Sequence, residues 1–153
     1  MSGPGPKYQA MRAVLDVERQ AEWTADGVAH VTAEWERGKR KVTREERAAF
    51  KRLPTAVEEA MKVRAFALFE AACRACWRDH FGRDDAIRTR DLIDGLAARC
   101  QMPAVVSAEA HGVREHRNDL VHLDRKHPPR EMRLVTAALR RFLSHLPDGW
   151  GRP

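Results

Sequence analysis

The segment VREHRNDLVH, residues 113–122, is dense in side chains that can move protons or hold phosphates. Arg117, Asn118 and His122 fall within six positions of it. RNA can be cleaved by attack of its own 2′-hydroxyl if one group titrates near neutrality and a cation stabilises the charge on the phosphorane. Histidine and arginine meet these two needs. We interpret the segment as a candidate site of RNA cleavage, and the alternative is a solvated polar helix face.

Helical geometry decides which of these side chains can cooperate. Asn118 and His122 are four residues apart, so the amide can orient the imidazole. Arg117 lies about 140° from His122 around an ideal helix, so only its long side chain, a helix distortion or a dimer would bring both groups to one phosphate. The helix is predicted to have a polar arc of His111, Arg114, Glu115, Asn118, His122 and Arg125. The opposite side, facing the bundle, is predicted to consist of Val113, Leu120 and Leu123.

The hexapeptide RNDLVH resembles the signature of HEPN domains, an Arg usually followed by Asn or another polar residue, then a His after four to six residues. Here four residues separate Arg117 from His122. The resemblance covers six residues directly, and the chain length, basic balance and helical context are similar to those of the family. It implies a small α-helical bundle that dimerises with the signature helices facing each other, around a composite cleft for RNA. By position, Arg117 and His122 would be catalytic and Asn118 their polar companion.

The resemblance also implies candidate functions and partners. Many HEPN proteins are metal-independent endoribonucleases that act as toxins or in antiviral defence, whereas others are catalytically silent RNA-binding or protein-interaction modules. We therefore expect RNA, a second copy of the chain, and an antitoxin or defence protein as partners. Toxins silenced by a nucleotidyltransferase antitoxin carry Tyr two residues after the His, and this chain has Asp124 there. Regulation by nucleotide addition to tyrosine is therefore not expected.

A second basic region lies between Arg37 and Arg52, where eight basic residues accompany two acidic ones. The whole chain has a net charge of +6, which favours polyanionic partners. Lys39, Arg40 and Lys41, together with Arg114, are the predicted nucleic-acid-binding residues. A solvated basic connector is the alternative, because no aromatic residues interleave closely enough to stack bases.

The spacing Cys73-x-x-Cys76-x-x-x-His80 could indicate a zinc site, since the three residues share a helix face. A structural core is the better interpretation, because no second Cys/His pair completes the site. The same stripe contains Phe66, Phe69 and Trp77. We predict no metal and no cofactor, and we expect Glu70 to form an ion pair with Arg74 four residues later.

The elements that must position these residues are all predicted to be helices. The length of 153 residues indicates one domain, 1–153, and residues 1–7 are predicted to be a disordered leader. Hydrophobic spacing predicts an antiparallel bundle of five or six helices. The first helical stretch is expected to break near Gly27. Capping boxes at Thr43/Glu46 and, after Pro54, at Thr55/Glu58 predict a short helix followed by a central helix that ends at Gly82.

Two further predictions concern the second half of the chain and its location. A shorter helix ends before Pro103, Ser107 caps the signature helix, which runs to about Arg125, and a last helix follows residues 127–129. The beginning lacks the apolar stretch of a signal peptide, and no run of about 20 apolar residues could span a bilayer. We therefore expect a cytoplasmic protein with three reduced cysteines.

Overall fold

A computed structural model describes residues 4–38, 41–82, 87–123 and 126–150 of the chain. These residues form five helices: α1 (Pro6–Glu36), α2 (Arg44–Phe81), α3 (Thr89–Arg99), α4 (Ala104–His122) and α5 (Met132–Ser144). No strand occurs in the described ranges. The prediction of an all-α bundle with five or six helices is confirmed.

Helix α1 is one continuous helix of 31 residues, so the predicted break near Gly27 is wrong. A single glycine costs a helix interior only about 1 kcal/mol, and the buried Val28 beside it holds the chain in place. The helix begins at Pro6, and the Lys7 ammonium lies 2.7 Å from the Asp148 carboxylate. The expected disordered leader therefore does not extend to residues 6 and 7, while residues 1–3 lie outside the described ranges.

Helix α2 begins at the predicted capping box. The Glu46 amide donates to the Thr43 hydroxyl at 3.2 Å, and the Thr43 amide donates to the Glu46 carboxylate at 2.8 Å. The second predicted capping box is wrong, because Pro54 lies inside a continuous helix of 38 residues. Proline removes one helical hydrogen bond, but the helix does not restart there. Glu58 instead forms an ion pair with Lys62, with 2.7 Å between the charged atoms.

Contacts between side chains of different helices define the relative directions of those helices. Arg64 of α2 donates to Gln20 of α1, whereas Phe50, earlier in α2, packs on Trp35, later in α1. These two helices are therefore antiparallel. Helices α1 and α5 are also antiparallel. Lys7, near the start of α1, contacts Leu146 just after α5, whereas Glu18, later in α1, accepts a hydrogen bond from Thr136 near the start of α5.

Helix α3 packs on the C-terminal part of α2. Its first residue, Thr89, donates to Glu70, and Gly95 lies close to the ring of Trp77. Contacts therefore advance along both helices together, so α3 lies parallel to the C-terminal part of α2. Helix α4 then returns antiparallel to α3, with His111 bonded to Asp94.

The core receives buried side chains from all five described helices, including Leu92, Ile93 and Leu96 of α3. Phe69 of α2 packs edge-on against Phe142 of α5, with 5.3 Å between ring centroids. Cys73 and Cys76 are fully buried, as the core interpretation predicted, while His80 is exposed. Among the described residues, no group of three or more His, Cys, Asp or Glu side chains is placed to hold a metal ion.

The ends of α1 and α2 extend beyond this core. The last buried residue of α1 is Val28, and the first of α2 is Lys62. Trp35 and Phe50 pack together between these outer segments, with ring centroids 4.4 Å apart. We call residues 29–36 and 44–60 the helical arm. None of the helices in the described ranges is long and apolar enough to cross a membrane.

The signature helix α4 has different ends from those predicted. It begins at Ala104, after Pro103, and the Ser107 hydroxyl donates to the Ala104 carbonyl from within the first turns. Ser107 is therefore not the N-cap. The helix ends at His122 because Leu123 adopts a left-handed conformation with φ 55°. Arg125 lies outside the described ranges.

Candidate functional site

A pocket of about 280 Å³ lies between α2, the start of α3 and α4. Four arginines and one carboxylate contribute to its wall. Its lining residues are Phe66, Glu70, Arg88, Thr89, Arg90, Arg114, Arg117 and Asn118. We call it the arginine pocket. It brings together three of the predicted site residues, Arg114, Arg117 and Asn118.

Arg117 is half-buried in this pocket. Its guanidinium carbon lies 6.0 Å from the centroid of the Phe66 ring, and its Nη1 donates to the Asn118 side-chain oxygen at 3.1 Å. Asn118 therefore orients Arg117 here. The predicted hydrogen bond between Asn118 and His122 does not occur among the described contacts. The arginine head group is held by a ring and an amide, and its other N–H groups are available to an anion.

Glu70 organises the wall of the arginine pocket. Its carboxylate accepts hydrogen bonds from the Thr89 hydroxyl and from Arg74, both at 2.7 Å. The predicted ion pair with Arg74 is confirmed. Burial alone would raise the pKa of Glu70, but the Thr89 and Arg74 hydrogen bonds and the nearby Arg74 and Arg117 charges lower it below its ordinary value. Glu70 is therefore ionised at neutral pH and offsets only part of the arginine charge.

The start of α3 adds to the positive potential of the pocket. Arg88 is its N-cap residue, and among the described residues its side chain makes no capping hydrogen bond to the first amides. A helix N-terminus carries a partial positive charge and presents N–H donors. Arg114 also lines the pocket, and its Nε is buried without a hydrogen-bond partner among the described residues. The arrangement is suited to holding a phosphate or another compact anion.

His122 lies apart from the arginine pocket. It is the last residue of α4, it is exposed, and it forms no hydrogen bond or ion pair with a described residue. One chain therefore does not bring Arg117 and His122 into contact. Leu123 was expected to face the bundle, but it is 89% exposed because the helix ends before it. Val121, on the other side of His122, is 47% exposed.

The predicted basic segment is only partly described. Lys39 and Arg40 lie outside the described ranges, whereas Lys41 is exposed at the tip of the helical arm. Lys41 lines a shallow depression next to Trp35 and Phe50. It does not line the arginine pocket, so these two candidate nucleic-acid-binding regions are separate.

A second and larger pocket, about 390 Å³, is lined by a different face of α4. Its lining residues are Glu59, His116, Asp119, Leu120, Leu123, His127 and Pro129. We call it the histidine pocket. Leu120 and Leu123 were the only members of this set that sequence analysis placed on this side of the helix.

Asp119 holds His127 at the edge of the histidine pocket. One carboxylate oxygen lies 2.8 Å from the main-chain N and 2.8 Å from Nδ1 of His127. The other ring nitrogen, Nε2, lies 3.7 Å from the Glu115 carboxylate. Burial alone would raise the pKa of Asp119, but the two hydrogen bonds from His127 lower it below its ordinary value. Asp119 is therefore a carboxylate at neutral pH.

His116 is buried deeper, with 5% of its surface exposed. Neither ring nitrogen has a hydrogen-bond partner among the described residues. Burial lowers the pKa of His116, and the positive charges of Lys62 and Arg130 lower it further. The imidazole is therefore neutral at pH 7.

The sequence contained a signal for this face that the predictions above missed. His116 and Asp119 follow Val113 at intervals of three residues, and all three are buried. This spacing continues an apolar stripe, so it marks the two residues as inward-facing. No protein-family model, curated protein or solved structure matches the chain. Among the described residues, the two pockets and the end of α4 are the features that bear on function.

Proposed function

We propose that the chain is a metal-independent endoribonuclease of the HEPN type, with Arg117 and His122 as its catalytic pair. The observation that carries the proposal is the arginine pocket, which collects four arginines around the first residue of the RNDLVH segment. RNA supplies both the phosphate that such a pocket binds and the 2′-hydroxyl that attacks it. DNA lacks that hydroxyl and should be bound but not cut.

Binding precedes chemistry in this proposal. A phosphate in the arginine pocket would meet Arg114, Arg117 and the uncapped start of α3. Planar guanidinium groups can donate two parallel hydrogen bonds to phosphate oxygens. The exposed Lys41, with Lys39 and Arg40, would extend the electrostatic attraction along the strand.

The chemistry requires a proton-transfer group and a stabilising charge. His122 would exchange a proton with the reacting ribose, and Arg117 would stabilise the negative charge that builds up on the phosphorane. Asn118 would keep the Arg117 guanidinium in position through their 3.1 Å hydrogen bond. Each residue thus has one role that its surroundings allow.

A homodimer would bring the separated catalytic groups together. Val121 and Leu123 flank His122 and are 47% and 89% exposed, so the end of α4 has apolar surface that a partner could cover. In a symmetric dimer, His122 of one copy could approach Arg117 of the other. We propose this arrangement because His122 has no orienting contact with the described residues of its own chain.

The test is cleavage of single-stranded RNA in EDTA. Wild-type protein should cut RNA to products that end in a 2′,3′-cyclic phosphate or 3′-phosphate, and it should leave DNA intact. His122→Ala should reduce the rate by about 10²- to 10⁴-fold, the usual effect of a positioned acid or base. Arg117→Ala should lose about 10²- to 10³-fold, like the removal of one transition-state donor. Arg117→Lys should restore only part of this loss.

Matched controls separate the site from general charge. The exposed Arg12 of α1 provides an Arg→Ala control, and exposed His145 provides a His→Ala control. Both variants should cleave like wild type. If wild-type protein binds RNA in a salt-dependent manner but never cuts it between pH 6 and 9, the proposed ribonuclease function is excluded.

The second candidate function is a catalytically silent helical module that binds RNA or another protein. It is favoured by the exposed and isolated position of His122. The arginine pocket would then serve binding alone, and Arg114→Ala and Arg117→Ala would both weaken RNA affinity. Either function would suit a toxin–antitoxin or defence system, and an adjacent antitoxin or defence gene would support that context.

A further inference from the structure

RNA cleavage by the 2′-hydroxyl requires two proton movements. The 2′-hydroxyl loses a proton as its oxygen attacks phosphorus, and the departing 5′ oxygen gains one as its bond to phosphorus breaks. The proposed pair of Arg117 and His122 contains only one group that can exchange protons near neutrality. A second such group would complete the reaction.

We propose that His127, held by Asp119, is this second group and protonates the 5′ oxygen that leaves the phosphate. The inference rests on the ribonuclease function proposed above. It assigns a catalytic role to a histidine outside the RNDLVH segment.

The geometry around His127 is that of an oriented acid–base catalyst. The same Asp119 oxygen lies 2.8 Å from the His127 main-chain N and 2.8 Å from Nδ1. With Nδ1–H donating to the carboxylate, Nε2 is the nitrogen that can meet a substrate. The backbone hydrogen bond also fixes the segment that carries the ring. His122, by contrast, has no hydrogen bond to a described residue.

The surroundings suit a proton donor next to a leaving nucleoside. His127 lines a pocket of about 390 Å³ whose wall includes the apolar side chains of Leu120, Leu123 and Pro129. Leu123 directly follows His122, so the two proposed proton-transfer groups border the same part of the molecule. The apolar wall can cover a ribose and base while the imidazole faces the scissile bond.

Among the described residues, the other ionisable side chains that line the histidine pocket or contact His127 come from two helices. Helix α4 contributes Glu115, His116 and Asp119, and α2 contributes Glu59. Asp119 is ionised at neutral pH, because hydrogen bonds from His127 outweigh the burial that would raise its pKa. A fixed carboxylate stabilises the imidazolium that exists before proton transfer.

The proposed step is balanced. His122 accepts the 2′-hydroxyl proton, a bond forms between the 2′ oxygen and phosphorus, and the bond from phosphorus to the 5′ oxygen breaks. His127 gives its Nε2 proton to that oxygen. The products are a 2′,3′-cyclic phosphate and a 5′-hydroxyl, and the two histidines have exchanged protonation states, which water restores.

Two RNA substrates test the assignment. One has the ordinary 5′ oxygen at the cleavage site, and the other has sulfur in that bridging position. A thiolate leaves without prior protonation, so a missing general acid affects only the oxygen substrate. His127→Ala should lose about 10²- to 10⁴-fold on the oxygen substrate and should retain nearly the wild-type rate on the sulfur substrate. His122→Ala should be impaired on both.

Further variants separate catalysis from folding. Asp119→Asn should impair the oxygen substrate selectively, because His127 loses the carboxylate that orients it. If His127→Ala melts early, His127→Gln should show the same selectivity while preserving side-chain volume. His145→Ala, on exposed surface, is the matched control.

Two outcomes would overturn the inference while leaving the ribonuclease intact. One is a His127→Ala protein as active as wild type on the oxygen substrate. The other is a folded His127 variant equally impaired on both substrates, which indicates a structural role. Wild-type protein that cuts neither substrate would instead remove the proposed ribonuclease function, and this inference with it.

Discussion

Three histidines in and around the RNDLVH segment have very different surroundings. His116 is buried without a hydrogen-bond partner in the described chain, His122 is exposed, and His127 is tied to Asp119. Residue type alone would assign them similar chemistry. Their environments divide them into a neutral buried group, an exposed group without a described partner and an oriented group.

Replacing His116 with leucine should stabilise the protein. Leucine has a similar size and removes two buried nitrogens that have no hydrogen-bond partner within the described chain. An unsatisfied buried polar group costs about 1–3 kcal/mol, so the free energy of unfolding at pH 7 should rise by about 1 kcal/mol. Urea denaturation followed by circular dichroism measures this change.

The same variant should also weaken the dependence of stability on pH. The folded-state pKa of His116 lies below its ordinary value of 6.5. Below pH 6.5 the unfolded chain therefore binds a proton that the folded chain does not, and wild-type stability decreases until the folded pKa is passed. The His116→Leu protein lacks this contribution, while His145→Leu, on exposed surface, should retain it. A His116→Leu protein less stable at both pH 7 and pH 5.5 would contradict the buried, unpaired state.

Local residue pairs were the most predictable features at this scale. Thr43 with Glu46, and Glu70 with Arg74, are three or four residues apart at or within one helix, so helical geometry brings each pair within reach. The same spacing did not join Asn118 to His122, because Asn118 bonds Arg117 instead. Asp119 and His127 are eight residues apart across the end of α4. Their contact depends on the path of a loop, which periodicity does not determine.

At the scale of helices, one glycine and one proline did not interrupt the helices that the sequence analysis expected them to break. Gly27 lies inside α1 and Pro54 inside α2. The long contact between these two helices stabilises both, so packing exceeds the local cost of either residue. Helix number and type were predictable from hydrophobic spacing. The helix boundaries were not predictable in this way, because tertiary contacts determine whether a helix breaks at a glycine or a proline.

Two glycine-to-alanine substitutions should have opposite effects. A Cβ at Gly27 would have no other heavy atom within 4 Å, whereas a Cβ at Gly95 would lie 2.8 Å from the Trp77 ring. Gly27→Ala should therefore gain about 1 kcal/mol of helix stability. Gly95→Ala gains the same propensity but also incurs an overpacking cost of about 1–3 kcal/mol, so it should lose about 1 kcal/mol. Thermal unfolding of both proteins tests this contrast, and equal stabilisation would mean that the ring moves freely.

At the scale of the whole molecule, the end of α4 should determine the oligomeric state. Leu123 is 89% exposed and has φ 55°, a conformation that costs a residue with a side chain about 1–2 kcal/mol. Leu123→Gly should therefore stabilise the monomer. It should also weaken the proposed homodimer, because the apolar side chain is lost from the interface.

Light scattering and thermal unfolding together test this prediction. Wild type should scatter as about twice 17.4 kDa, and Leu123→Gly should approach 17.4 kDa. Leu134→Ser, at a 54% exposed position of α5, should leave the mass unchanged. A monomeric wild-type protein that still cuts RNA would contradict the proposal that the catalytic groups come from two chains. The RNDLVH segment indicated a site but not this surface, because the sequence does not determine that the helix ends at His122.

Helix α2 has two parts of unequal stability, one in the helical arm and one in the core. Residues 44–60 have no buried side chain, whereas the part from Lys62 to Cys76 lines the core. Pro54, which cannot donate a backbone hydrogen bond, lies near the border. Backbone amides of the arm should therefore exchange with solvent through local opening, while those nearer Cys76 exchange only when the whole domain unfolds. One unbroken helix thus spans two cooperative units, and residues 44–60 can open while the core remains folded.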